Sequence, residues 1–151
     1  MNVKHLPAMT LAFVYASGPE GKRETIDKIS AFLTNIGLAI DSTKKYFFPI
    51  TISKGSQMVV SYMLFASVPS GTNPSKEVAV IDLPGGEYLT FTMAKTEFES
   101  DQGASHGKMQ EAMNEWLKDN KRQLDMRKVI GLIEEDYVDG YDMYNIYFPL
   151  K

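Results

Sequence analysis

Cysteine is missing from all 151 residues, which excludes disulfides, thiol nucleophiles and any metal site built on thiolates. Histidine is nearly as scarce. His5 stands near the N-terminus and His106 in a polar stretch, with no cluster at ligand spacing, so no metal is expected. Long apolar runs are also lacking: Leu11 to Ala16 and Met63 to Ala66 fall far short of the roughly 20 residues that a membrane-spanning helix needs. The opening MNVKHLPAMT has no apolar signal-peptide core, so a cytoplasmic protein away from membranes is expected. Basic charge is outnumbered, 16 Lys+Arg against 19 Asp+Glu for a net charge of −3, and it is not clustered. Binding to a phosphate backbone depends on clustered Lys and Arg that displace counterions, so no direct nucleic-acid contact is expected. No Gly-Lys-Ser/Thr phosphate loop appears, SDQGASH supplies no nucleophile elbow, and no cofactor is expected.

What is present is the composition of an ordinary globular domain, 44% hydrophobic and 23% charged. A single domain of this length buries roughly 68–70% of the surface its unfolded chain exposes. DLPGGEYLTFT, from Asp82, resembles HLPAMTLAFVY, from His5: each has Leu-Pro and a small residue before an apolar strand. After the first copy comes a turn, SGPEGKRE, and then Ile26, Ile29, Phe32, Leu33 and Ile36 at helical spacing, with Gly37 as the stop. KKYFFPITI and MVVSYMLFASV follow as two strands joined across SKGSQ. After the second copy, the polar stretch EFESDQGASHG reads as a loop insertion. Met109, Ala112, Met113, Trp116 and Leu117 then mark a second helix with Ser105 placed to cap it. KVIGLIEED and MYNIYFPLK are its two strands, joined by an Asp-Gly turn in DYVDGYD.

These patterns predict an α+β fold made of two strand-helix-strand-strand copies in one domain, about residues 1–68 and 78–151. The Pro/Gly/Ser-rich loop SVPSGTNPSKE joins them. Two such copies can join edge to edge into a curved antiparallel sheet with two main helices and a central cleft.

Leu6-Pro7 before a strand and Ser17-Gly18-Pro19, Leu83-Pro84-Gly85-Gly86-Glu87-Tyr88, Glu115-Trp116-Leu117 and the terminal Ile146-Tyr147-Phe148-Pro149-Leu150 occur in an order that resembles the GyrI-like small-molecule-binding domain. This is the effector-binding domain of AraC- and MerR-type multidrug regulators, and the resemblance covers nearly the whole chain. It implies two modules around a pocket for hydrophobic, often cationic and aromatic, compounds. It also implies a glutamate on the first strand after the second helix, facing aromatic rings. Here that strand is VIGLIEED, where the position of that glutamate falls on Gly131 and the nearest carboxylates are Glu134 and Glu135. Some relatives of the family are hydrolases that open strained cyclopropane-bearing compounds, and others are gyrase-inhibitor-type interaction proteins.

Composition alone points to the same segment. From Ile130 to Leu150 there is no Lys or Arg, but there are five acids and five aromatic rings. Ring faces attract cations by about 0.5–2 kcal/mol, and a partly buried carboxylate adds a directed charge. Glu134 is the candidate acid and Tyr137 a candidate ring. On the closing strand, period two separates Tyr147, a pocket candidate, from Tyr144, read as core. Phe13 and Tyr15 share one strand face, and Phe48, Tyr62 and Phe91 lie on strands expected to approach the cleft; each also fits a place in the core. Asp136, Asp139 and Asp142 suit a solvated turn. The expected function is a ligand-binding domain without a DNA-reading module of its own. The alternatives are hydrolysis of a strained electrophile by Glu134 and protein interaction through the acidic surface.

Overall fold

The structure, a computed structural model, describes the backbone of residues 1–54, 57–128 and 131–151 and the side chains of 1–47, 61–128 and 131–151. Its elements follow in chain order: β1 (Asn2–Leu6), β2 (Met9–Ser17), α1 (Gly21–Asn35), a short 3-10 turn (Ile40–Ser42), β3 (Lys45–Lys54), β4 (Gln57–Val68), β5 (Ala79–Leu83), β6 (Gly86–Ala94), α2 (Lys95–Ser100), α3 (Gln102–Asn120), β7 (Leu132–Val138) and β8 (Tyr141–Pro149). The fold is α+β, and every described strand pairing is antiparallel. Among the described residues no helix is long and apolar enough to cross a membrane.

The chain divides into two compact units, Met1–Pro7 with Gly85–Lys151, and Ala8–Pro84. The breaks fall at Pro7 and Pro84, the prolines of the two Leu-Pro openings. β1 runs into β2 through Pro7 but pairs with β6, while β5 runs into β6 through Pro84 but pairs with β2.

In the unit Ala8–Pro84 the strand order is β3-β4-β2-β5, with α1 on one face. Ile29, Phe32 and Leu33 of α1 are buried with Ala12, Val14, Ala66, Val68 and Val78, and Leu38, Leu64 and Val80 pack against them. The stripe differs from the expected one at both ends. Ile26 and Ile36 are exposed, and Thr25 takes the inward place in the first turns. Burial of Thr25 is tolerable because its Oγ1 donates to Lys22 O at 2.7 Å. Gly37 does end the helix. With φ of +82° it turns the chain left-handed, so that Gly37 N–H reaches Thr34 O at 3.1 Å and Leu38 N–H reaches Leu33 O at 2.8 Å. That double closure also delivers Leu38 to the core.

In the unit Met1–Pro7 with Gly85–Lys151 the order is β1-β6-β8-β7. The stretch read as a loop insertion is helical. Lys95–Ser100 forms α2, whose Phe98 is buried edge-on to Tyr144 with ring centroids 5.3 Å apart. The cap of α3 is Asp101 rather than Ser105: Asp101 Oδ1 accepts from Ala104 N–H at 3.0 Å, which starts the helix three residues before Ser105. Ser105 is buried instead, its Oγ donating to Glu97 O at 3.2 Å. Met109 is buried on α3, whereas Ala112, Met113, Trp116 and Leu117 are half-buried. The Asp-Gly turn falls where expected. Val138 pairs with Tyr141, leaving Asp139 (φ +51°) and Gly140 (φ +85°) as the two left-handed residues of a tight hairpin.

Candidate functional site

Residues paired across antiparallel strands project from the same face of a sheet, so register sorts the side chains of each unit into two sets. In the unit that holds the C-terminal strands, Phe91, Met93, Tyr144, Ile146, Ile133, Glu135 and Tyr137 share the face that meets α2. The face without α2 carries Lys4, Tyr88, Thr90, Thr92, Asn145, Tyr147, Leu132 and Glu134.

On that second face Glu134 and Tyr147 meet. Tyr147 is 1% exposed, and its Oη donates to Oε1 of the half-buried Glu134 at 3.1 Å. Tyr88 stands edge-on to Tyr147 with centroids 6.4 Å apart, and burial followed by the charge of Asp125 raises its phenol pKa above the ordinary value. Lys4 Nζ lies 5.7 Å from the Tyr147 centroid and Lys128 Nζ 5.8 Å from that of Tyr88. A polar rim runs beside them: Thr92 Oγ1 donates to Asn145 Oδ1 at 2.9 Å, and Asn145 Nδ2 donates to Asp136 Oδ2 at 3.2 Å. Thr90, paired with Tyr147, has a buried Oγ1 with no hydrogen-bond partner among the described residues. Leaving such a hydroxyl unsatisfied costs about 1–3 kcal/mol.

Neighbouring carboxylates go to opposite faces. Glu135 leaves on the α2 side, where Oε1 is 3.5 Å from Lys95 Nζ. The Lys95 ammonium lies 5.7 Å from the Tyr144 centroid, and Tyr144 Oη donates to Glu99 Oε1 at 2.8 Å. Burial, then the bond to Glu99 and the surrounding carboxylates, pushes the Tyr144 phenol far above its usual range. Gly131, the position where the family resemblance would place the glutamate, lies just before β7, has φ of +80° and donates its N–H to Tyr147 O at 2.9 Å. A left-handed backbone there disfavours any side chain.

In the other unit, the face away from α1 carries Phe13 and Tyr15. Phe13 is half-buried and stacks on Phe65 with centroids 5.4 Å apart. Tyr15 is 52% exposed and belongs to a hydroxyl cluster: Ser17 Oγ donates to Tyr15 Oη at 2.9 Å, and buried Ser61 Oγ lies 3.2 Å from Tyr15 Oη and 3.0 Å from Ser17 Oγ.

The remaining sequence candidates are placed elsewhere. Tyr62 pairs with Ala16 on the α1 side, so close to the helix start that a Cβ on Gly21 would come within 3.1 Å of its ring. Phe91 is half-buried on the α2 side, and Tyr137, also on that side, is 69% exposed beside the hairpin turn. Phe48 pairs with Met63 along β3, and its side chain lies outside the described residues. Sequence reasoning missed Lys4, Tyr88, Thr90 and Lys128. The alternation of Tyr88, Thr90 and Thr92 in GEYLTFT was a signal for three residues on one face, but Lys4 reaches its ring only through a pairing distant in sequence. Among the described residues no three His, Asp or Glu side chains gather as metal ligands.

In the unit Met1–Pro7 with Gly85–Lys151, a strand face away from α2 that is set with buried tyrosines and a half-buried glutamate suits a small-molecule-binding domain. The chain belongs to the GyrI-like family: residues 1–151 match the GyrI-like small molecule binding domain. No curated protein matches it in sequence. Solved structures share the fold. A hydrolase from Listeria innocua superposes with a TM-score of 0.63 at 11% identity, over 99% of this chain and 90% of that one. The EcmrR C-terminal domain superposes with a TM-score of 0.55 at 13% identity, over 99% and 96% of the two chains. EcmrR in its complex with DNA and RPo gives 0.58 at 17% identity, over 99% of this chain and 56% of that one.

Proposed function

We propose that this small-molecule-binding domain holds hydrophobic, cationic aromatic compounds, as the effector-binding parts of multidrug-responsive transcription regulators do, and that it acts in the cytoplasm without touching nucleic acid itself. The hydrogen bond from buried Tyr147 to half-buried Glu134 carries this reading. A carboxylate fixed beside aromatic faces gives a delocalised cation both a counter-charge and a flat apolar surface. The buried Oγ1 of Thr90 adds a hydroxyl for a polar atom of the guest. On the other unit, Phe13, Tyr15 and the two serines are a second aromatic and hydroxyl surface of the same kind.

The test is fluorescence titration with rhodamine 6G. Saturable quenching by the wild-type protein is expected, with affinity reduced about ten-fold or more in Glu134→Gln, since truncating a charged partner costs roughly 1.5–3 kcal/mol. Absence of quenching at high micromolar protein, or an unchanged affinity in a folded Glu134→Gln, contradicts the proposal.

The same hydrogen bond supports a second reading, hydrolysis of a strained electrophile with Glu134 as acid or base beside a phenol. The same variant separates the two: turnover of such a compound, abolished by Glu134→Gln while rhodamine binding is only weakened, is the signature of the enzyme.

A further inference from the structure

Both buried tyrosines on the face of the C-terminal unit away from α2 already carry one of the chain's own cations. The Lys4 and Lys128 ammonium groups stand 5.7 and 5.8 Å from the Tyr147 and Tyr88 centroids, inside the roughly 6 Å over which a ring face attracts a cation. The two lysines are held differently. Lys128 is half-buried, its N–H donates to Asp125 O at 3.2 Å, and its Nζ sits so close to Gly86 that a Cβ there would meet it at 3.1 Å. Lys128 is part of the wall. Lys4 is exposed, on β1 at the outer end of the order β1-β6-β8-β7, and its stem crosses β6 to place the ammonium over a ring on β8. The ring beneath it is 1% exposed and is the one bonded to Glu134.

An exposed, flexible side chain thus helps cover a buried ring at the position where a guest cation would gain most. We propose that Lys4 determines specificity at this site: its ammonium is a tethered occupant that a cationic guest must displace from Tyr147, and that an anionic guest leaves in place and gains charge from. This deepens the proposed function and rests on it. A tethered group competes at an effective concentration in the millimolar range, so weak or localised cations lose the contest and large delocalised ones, with apolar area to spare, win it. A surface lysine would thereby narrow the range of cations that the aromatic face accepts.

Tetraphenylphosphonium and tetraphenylborate, matched in shape and opposite in charge, test the inference by isothermal titration. Lys4→Met keeps the apolar stem and removes the charge. It is expected to bind tetraphenylphosphonium about two- to five-fold more tightly than wild type, and tetraphenylborate no more tightly. Lys4→Arg, which restores a cation, should behave as wild type, and Lys118→Gln on α3 serves as a control for net charge alone. Equal tetraphenylphosphonium affinity in wild type and Lys4→Met overturns the role of Lys4 and leaves the site standing, as does an equal gain in Lys118→Gln. Failure of tetraphenylphosphonium to bind any variant overturns the site itself, and the role of Lys4 with it. A readout without a guest is the NMR position of the Lys4 ε-methylene protons. Ring current should shift them upfield of those of the other lysines, and tetraphenylphosphonium should return them to the ordinary position; an ordinary position in the free protein overturns the inference.

Discussion

Tyr147 carries two charges at once, a carboxylate on its hydroxyl and an ammonium over its face, while almost none of its own surface meets water. The charges act on different parts of the same side chain, so each can be changed without the other. Asp125 shows how firmly this unit holds a buried charge. It is 3% exposed, and hydrogen bonds from the Arg127 side chain at 2.9 and 3.1 Å and from its backbone N–H at 3.2 Å bring its pKa down to about 2. A folded-state pKa below the unfolded value contributes stability above pH 4, and the contribution is lost as pH falls towards 2. Thermal melts from pH 6 to 2 should therefore show a steeper acid decline in wild type than in Asp125→Asn, the contribution of Asp125 being constant above about pH 5 and fading as pH falls towards 2. Parallel curves would mean that Asp125 is no more stabilised than an ordinary surface carboxylate.

At the scale of elements, α1 shows what a sequence pattern tells and what it leaves open. Spacing located the helix, and Gly37 marked its end, because both signals act within a few residues. The inward face was misjudged by one position in the first turns, since Thr25 can satisfy its hydroxyl on Lys22 O and displace Ile26 outward, and the stripe stops at Leu33 because Ile36 is already the C-terminal cap. Leu33→Ala is expected to cost about 2–5 kcal/mol in chemical denaturation, as large-to-small changes in a packed core do. Ile26→Ala should stay within about 0.5 kcal/mol, as surface changes do; comparable losses would restore the stripe read from the sequence. EFESDQGASHG was misread for a similar reason. Its polar residues suggested a loop, yet Asp101 caps α3, Phe98 finds the edge of Tyr144, and Ser105 bonds back to Glu97 O. The site divides along the same line. Period two separated Tyr147 from Tyr144, but alternation alone does not say which set faces a helix, and the pairing of β7 with β8 is what assigns Glu134 and Glu135 to opposite faces.

Across the whole molecule, the two prolines at 7 and 84 mark the exchange of leading strands: β1 serves the unit it does not directly precede, and so does β5. Deletion of Met1–Pro7 removes the strand paired with Asn2↔Thr90 through Leu6↔Gly86 register and leaves β6 as a bare edge. Hydrogen exchange of the truncated protein should quicken at β6 amides, from Gly86 to Thr90, and stay slow in β2 and β4; unaltered β6 protection would show that β1 contributes no stability there. We propose that the shared order of strand, helix, strand and strand in the two units reflects an internal duplication, which the paired Leu-Pro openings support. By itself the sequence determined the order of the two main helices and the strands that flank them, the Asp-Gly and Gly37 turns, the α+β class and the alternation that separates Tyr147 from Tyr144. These depend on propensities and periods that act over a few residues. Only the tertiary structure decided that β1 and β5 change places, that Tyr62 and Phe91 turn towards helices, and that Lys4 comes to rest over Tyr147. Each is a choice of partner across most of the chain, fixed by which arrangement buries the most apolar surface once distant strands have met.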